Sequence, residues 1–407
     1  MLVEYMKVFL ARQPIFTSNK KIFGYELLFR LGLENVFPDV DGDDATSNLI
    51  SNIFFPFNFN EILRGKSGLI NFTEKLILQK IPLLLPKEHF IIEVLEDVEP
   101  NANVISALTL LYKKGFTIAL DDFVYHEKFL HMMELCKIIK FDLRATPLDS
   151  LFEIVKQIKS NYEITLLAEK VETYEEFDKA REMGFNLFQG YFFAKPEVLS
   201  AKGISSGQIT KLKLVNEVGR KELILKKVEA LIKNDTTVSF KLLKFINSAY
   251  FNRQNPIDTI KDAISYIGTN ELRKFICIVV ISDLSTKKPN ELVRISIVRA
   301  KMCERCGSVL NTKFSIDELF TLGLFSLLDA ILDCKMEALL QHISLSDKMK
   351  TALLKKNKEF NNILNIVKGF EQGDWENAIF TDISDKPIES KLPEFYFDSV
   401  KMANSFF

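Results

Sequence analysis

Residues 116–123 read FTIALDDF, a short apolar run that ends on two adjacent carboxylates, Asp121 and Asp122. An apolar run of this length with a polar break behind it reads as a buried parallel strand. The far end of such a strand is where α/β proteins keep their chemistry. Neighbouring carboxylates repel each other unless a proton or a cation sits between them. Alternation would point only one of them inward, although a twisting strand end can present both to a divalent ion. Taken alone, the plainer reading is a solvated strand terminus before a turn.

The pattern recurs, and recurrence changes the reading. GLINF ends at Asn71, HFIIEVLE carries Glu93 and Glu96, and KIIKFDL carries Lys140 and Asp142. ITLLAEKVE carries Glu169 and Glu172, NLFQGYFF carries Gln189, and upstream YELLFR carries Glu26. Glu26, Asn71, Glu93, Asp121, Asp122, Lys140, Glu169 and Gln189 together make an oxygen-rich set without clustered His or Cys. Hard oxygen donors suit Mg²⁺ or Mn²⁺ better than Zn²⁺. So many carboxylates could not stay ionised together without cations. Two divalent ions about 3.5–4 Å apart would balance them and activate a water for phosphate-ester cleavage. Lys140 could orient or deprotonate that water, or neutralise charge developing on the phosphate.

Elements must bring these residues to one place. Helical patterns at 102–114, 148–159 and 174–183 alternate with the short strands. Such alternation predicts a parallel sheet and, with enough units, a TIM-like (β/α)8 barrel with all polar strand ends around one mouth. Residues 7–16 and 22–30 read as strands around the turn Thr17-Ser18-Asn19-Lys20, so the barrel starts with an antiparallel first strand. DVDGDD at 39–44 resembles a calcium loop, but the twelfth position from Asp39 is Ile50, so it reads as a loop feeding a helix near 45–63. Past Lys195-Pro196 a Pro/Gly/Ser-rich connector ends the strand rhythm. Helical periodicity then covers 238–250, 257–267, 271–284, 291–310, 317–332 and 346–368. The expected division is a barrel at 1–200, a linker at 201–208, an all-α domain at 209–375 and an irregular or helical tail at 376–407, with Trp375, Pro387 and Pro393 near or within the tail.

Bulk properties exclude several classes. The 407 residues suit about two domains, and 47% hydrophobic with 26% charged residues is an ordinary globular composition. A net charge of -1 gives no general pull toward phosphate backbones, so bulk nucleic-acid binding is not expected. Five scattered cysteines suggest reduced thiols, residues 1–10 show no signal-peptide pattern, and no run of about 18 apolar residues exists. The expectation is a cytoplasmic protein without a membrane span. Cys303-Glu-Arg-Cys306 stands alone on a helix and reads as two incidental cysteines. His126 and His131 read as an exposed loop and helix start, and Glu175-Glu176 as a first helical turn.

The order and spacing of these motifs resemble the EAL family of cyclic di-GMP phosphodiesterases across about residues 5–200. Its name-giving triplet stands here as Glu26-Leu27-Leu28, followed by INF, EVLE, LDDF, IKFD, AEKVE and FQGYFFAKP. The resemblance implies that Glu26, Asn71, Glu93 and Asp121 hold one metal ion, that Asp122 helps hold a second, and that Lys140 serves the nucleophilic water. It also implies catalytic parts for Glu26 and Glu169 and substrate contacts from Leu28, Arg30 and Gln189. Glu96 and Glu172 would support the loop around the second ion. Cyclic di-GMP would be the ligand, with a homodimer formed through the barrel. Two features depart from the family pattern: DDFVYHEKF lacks the usual loop glycines, and Lys170 stands where glycine is usual. The second half resembles the HDOD domain in LLKFINSAYF, PIDTIKDAISYIGTNELRKF and LFTLGLFSLLDAIL. The HD-type His-Asp pair is replaced by Phe325-Ser326 and His342 is that domain's sole histidine, so the resemblance implies a regulatory module with a protein partner. The intact ligand set points to an enzyme making linear pGpG; the altered loop points to a non-catalytic cyclic di-GMP sensor or scaffold.

Overall fold

The computed structural model describes residues 9–30, 59–194, 225–233, 236–251, 255–285, 288–343, 345–374, 388 and 391–407. The acidic loop expected at 39–44, most of the helix at 45–63, the linker at 201–208, Trp375 and Pro387 lie outside them. Two compact units result: Met1–Phe192 with Glu371–Gly373, and Phe193–Phe370 with Asp374–Phe407.

In the first unit β1 (Phe9–Thr17), β2 (Ile22–Arg30), β3 (Ser67–Phe72), β4 (Phe90–Val94), β5 (Thr117–Leu120), β6 (Ile138–Asp142), β7 (Thr165–Glu169) and β8 (Leu187–Gln189) close into a barrel in sequence order. β1 is antiparallel to both of its neighbours, while every other pair is parallel. The expected barrel with an antiparallel first strand is therefore what forms. Its hairpin closes through Lys20 N–H on Thr17 O at 2.8 Å, with Lys20 left-handed at φ 58°. Helices α1 (Phe59–Leu63), α2 (Glu74–Leu78), α3 (Ala102–Lys113), α4 (Leu130–Leu135), α5 (Leu148–Asn161) and α6 (Tyr174–Met183) fill the connections. Asn101 and Thr173 cap the starts of α3 and α6, and Gly184 ends α6 at φ 104°.

A layer of buried side chains from seven strands forms the barrel floor: Ile15, Leu69, Ile91, Ala119, Ile138, Leu167 and Leu187. Side chains on a strand return to the same face every second residue. The next inward positions toward the strands' C-terminal ends are Asn71, Glu93, Asp121, Lys140, Glu169 and Gln189. On antiparallel β1 the count runs backward, from Ile15 to Gln13, and Gln13 is in register with Glu26. An apolar floor thus carries a polar ring one pleat above it.

The second unit holds α7 (Leu225–Lys233), α8 (Thr236–Ile246), α9 (Ile260–Leu284), α10 (Asn290–Gly307), α11 (Ile316–Phe325), α12 (Leu328–Leu332), α13 (Met336–Leu339), α14 (Asp347–Leu353), all but the last two residues of α15 (Lys358–Gln372), and α16 (Leu392–Asn404). Gly268, at φ 75° and ψ 170°, breaks the path of α9 where the sequence reads as two helices. The spans 317–332 and 346–368 are each two helices instead of one, parted at Ser326-Leu327 and at left-handed Lys355 (φ 60°). The end of the tail is helix, with Pro393 in the first turn of α16, where a missing N–H costs nothing. α10 is buried on nearly all sides, and Gly323 of α11 lies so close that an added Cβ would meet Arg299 O at 2.6 Å. The Gly-Leu of this segment therefore serves helix packing. Cys303 and Cys306 are buried in α10, and burial pushes the Cys306 thiol up. Among the described residues no helix is long and apolar enough to cross a membrane.

Candidate active site

Lys140 sits at the centre of the ring. Its Nζ is 2.6 Å from Glu169 Oε1, 2.8 Å from Asp121 Oδ1 and 3.7 Å from Glu26 Oε2, and it also pairs with Glu93. All five groups are buried or nearly so. Burial alone would drive the Lys140 ammonium toward neutrality, yet Asp121, Glu169, Glu26 and Glu93 outweigh it and hold the pKa well above the ordinary lysine range. Burial pushes the Glu93 and Glu169 carboxyls well up, against the pull of Lys140 and with added repulsion from Asp121 and Glu26. One ammonium does not balance four carboxylates.

Amides arrange the rest. Glu26 Oε1 accepts from Asn71 Nδ2 at 3.2 Å and Glu26 Oε2 from Gln189 Nε2 at 2.6 Å. A carboxylate can only accept, which turns the amide oxygens away from it. Gln189 Nε2 also donates to Gln13 Oε1 at 2.9 Å. Asn71 Oδ1, Glu93 Oε2, Asp122 Oδ1 and Gln189 Oε1 are buried with no hydrogen-bond partner among the described residues. Each such orphan costs about 1–3 kcal/mol. Oxygens of Glu93, Asp121 and Glu169 lie within 4.8 Å of one another. Three converging carboxylates with excess negative charge, together with buried acceptors that lack a donor, fit hard divalent cations.

Asp121 follows β5 directly; its N–H donates to Val94 O at 2.9 Å, and its Oδ1 accepts the Asp122 N–H at 3.0 Å. Asp122 then turns into the left-handed region at φ 37°, which brings two successive carboxylates to one mouth. Burial and the Asp121 charge push the Asp122 carboxyl up, opposed in part by Glu169 and Lys170. The glycine-free loop beyond is tied down by its own side chains. Phe123 is buried against Phe141 and Phe129, the Tyr125 hydroxyl accepts from Gln157 Nε2 at 2.7 Å, and His126 Nδ1 accepts the Lys128 N–H at 3.1 Å. His126 is thus a turn cap, and His131 lies exposed beside Glu134.

Other expected site residues lie on β2 or just after β4 and β7. Leu28 is buried on the Glu26 face of β2, one pleat further along, and Arg30 ends that strand, with its side chain outside those described. Glu96 is exposed on the turn after β4, and Glu172 is exposed with its N–H on Glu176 Oε2 at 2.8 Å. Gly190 has φ 142°, and a Cβ there would strike Val171 O, so the Gln-Gly step needs glycine. Gln13 is a site residue that the strand-end pattern misses, because that pattern looks only at C-terminal ends. Asp142 gains a role too: its Oδ1 accepts the Arg144 N–H at 2.6 Å and its Oδ2 pairs with Lys170.

A family model described as the EAL domain matches residues 62–196, and one described as the HDOD domain matches residues 209–359. The cyclic di-GMP phosphodiesterase CdgJ of Vibrio cholerae is 36% identical over 372 residues, covering 91% of this chain and 86% of that protein. YuxH of Bacillus subtilis is 33% identical over 409 residues, covering 98% and 99%. Among solved structures, the EAL-domain protein YkuI of Bacillus subtilis, in complex with substrate c-di-GMP and calcium, is 20% identical with a TM-score of 0.38, covering 67% of this chain and 74% of that one.

Proposed function

The chain belongs to the family of EAL-domain proteins that carry an HDOD domain, and from that premise we propose that it hydrolyses cyclic di-GMP to linear pGpG with Mg²⁺ or Mn²⁺. The observation that carries this reading is the ring of strand-end oxygens around Lys140, four of them buried acceptors without a donor. Glu26, Asn71, Glu93 and Asp121 would hold one ion, and Asp122 with Glu169 would hold the other. Such ions, when bound, supply charge balance and a water acidic enough to attack near neutral pH.

The chain's own residues do the remaining work. Asn71 and Gln189 fix Glu26 through its two oxygens. Lys140 stands among these carboxylates, where its ammonium would meet the attacking water and stabilise charge growing on the phosphate. Gln189 and Leu28, with Arg30, would contact the nucleotide. Asp121 and Asp122 are held in place by the tied loop, with Glu96 and Glu172 outside it.

In this proposal the catalytic barrel spans about residues 1–200, a short linker follows at 201–208, and the helical domain from 209 regulates it, binding a protein partner, while the barrels pair as a homodimer. The test incubates full-length protein with cyclic di-GMP and Mn²⁺ and follows both bound nucleotide and linear product. Accumulating linear dinucleotide supports the enzyme. Saturable binding without product, whatever the metal concentration, would make the protein a sensor.

A further inference from the structure

Lys170 follows β7 in left-handed backbone, at φ 53°. That region is unfavourable for any residue with a Cβ, and a side chain held there beside a reactive cluster points to a use. Its ammonium reaches across to the buried Asp142, pairing with Oδ2, while Asp142 Oδ1 is occupied by the N–H groups of Arg144 at 2.6 Å and Ala145 at 3.4 Å. Asp142 is thereby pinned, and the ammonium with it. Phe123 N–H donates to Lys140 O at 2.9 Å and Asp142 is in register with Glu169, so Asp142 and the ammonium paired with it stand between the Asp122 turn and Glu169. Asp122 is the carboxylate whose buried Oδ1 lacks a partner. The Asp122 side of the mouth therefore meets a positive charge supplied by the chain on an exposed side chain, where the Glu26 side meets neutral amides.

We propose that Lys170 is a positioning residue and built-in counter-charge for the Asp122 side of the mouth, weakening the second divalent ion there so that its occupancy tracks metal concentration. The inference rests on the two-ion reading above. Removing the charge acts in one direction by two routes: Asp122 and Glu169 lose a competing cation, and Asp142 is left with an uncompensated charge nearby.

The experiment titrates Mn²⁺ into metal-free full-length protein and reads free Mn²⁺ by electron paramagnetic resonance, without substrate or turnover. Wild-type protein takes up a tighter and a weaker ion. Lys170→Met and Lys170→Gly each tighten the weaker site by about tenfold, a factor that one close charge commonly supplies, and Lys170→Arg stays at the wild-type value. A weaker-site affinity unchanged in Lys170→Met overturns the inference while leaving the two-ion reading intact. Tightening in Lys170→Gly alone also overturns it, since relief of the backbone and not the charge would then be responsible. Absence of Mn²⁺ uptake by wild-type protein defeats the two-ion reading and the inference together.

Discussion

Lys140 is surrounded by Glu26, Glu93, Asp121 and Glu169, so its one ammonium is the counter-charge that these four carboxylates share. Lys140→Met should have two separable effects. Without metal it leaves buried carboxylates uncompensated, a loss of about 3–5 kcal/mol for a broken buried ion pair, read as a lower melting temperature. With saturating Mn²⁺ the fold recovers, and kcat is about 10²–10³-fold down at nearly unchanged KM. A change confined to KM would make Lys140 a phosphate-binding group only. At this scale much was legible: Asn71, Glu93, Asp121, Lys140, Glu169 and Gln189 stand two residues beyond Ile or Leu or Ala positions of the floor, and period two reads directly from sequence. Gln13 was not legible, since its strand runs the other way and its polar residue comes before the floor position. Nor was the pairing of Lys170 with Asp142, which depends on a left-handed turn at a residue that does not favour one.

The elements of the barrel followed from strand–helix alternation, down to the antiparallel start. Those of the second unit followed less well, because a continuous apolar stripe does not reveal a short break: α11 and α12 share a stripe but part at Ser326-Leu327. The sequence also hid the ionic joint between helices. Lys274 of α9 pairs with Glu304 of α10, with Glu271 at 2.8 Å and with Asp317 at 3.3 Å, and Lys301 reaches Glu304 Oε2 at 2.5 Å. Burial pushes the Glu304 carboxyl up, but Lys301 and Lys274 together bring it below its ordinary value. A folded pKa below the unfolded one contributes stability that is present above the unfolded value, about 4.3, and is lost as pH falls through the folded one. Unfolding of full-length protein should therefore show Glu304→Gln less stable than wild type near neutrality, with the gap closing on acidification below about pH 4. A gap that is constant with pH would mean that Glu304 contributes packing and not charge.

For the whole molecule, a barrel with one polar mouth is joined to a helical unit, and a net charge of -1 offers a dinucleotide no long-range steering. Recognition then has to be local, at the mouth, and the proposed hydrolysis would depend on cations that offset Glu26, Glu93, Asp121, Asp122 and Glu169. The glycine-free loop that follows Asp121 and Asp122 is tied to the barrel through Phe123 and Tyr125 and to itself through His126. The most direct measurement is cyclic di-GMP turnover by full-length protein after chelation, then with Mn²⁺ restored, beside a Glu93→Ala variant checked for an intact fold. The predicted result is no linear dinucleotide after chelation, its return with Mn²⁺, and none from Glu93→Ala at any Mn²⁺ concentration. Near-normal turnover by folded Glu93→Ala, or by chelated wild-type protein, would contradict metal-dependent hydrolysis at this mouth.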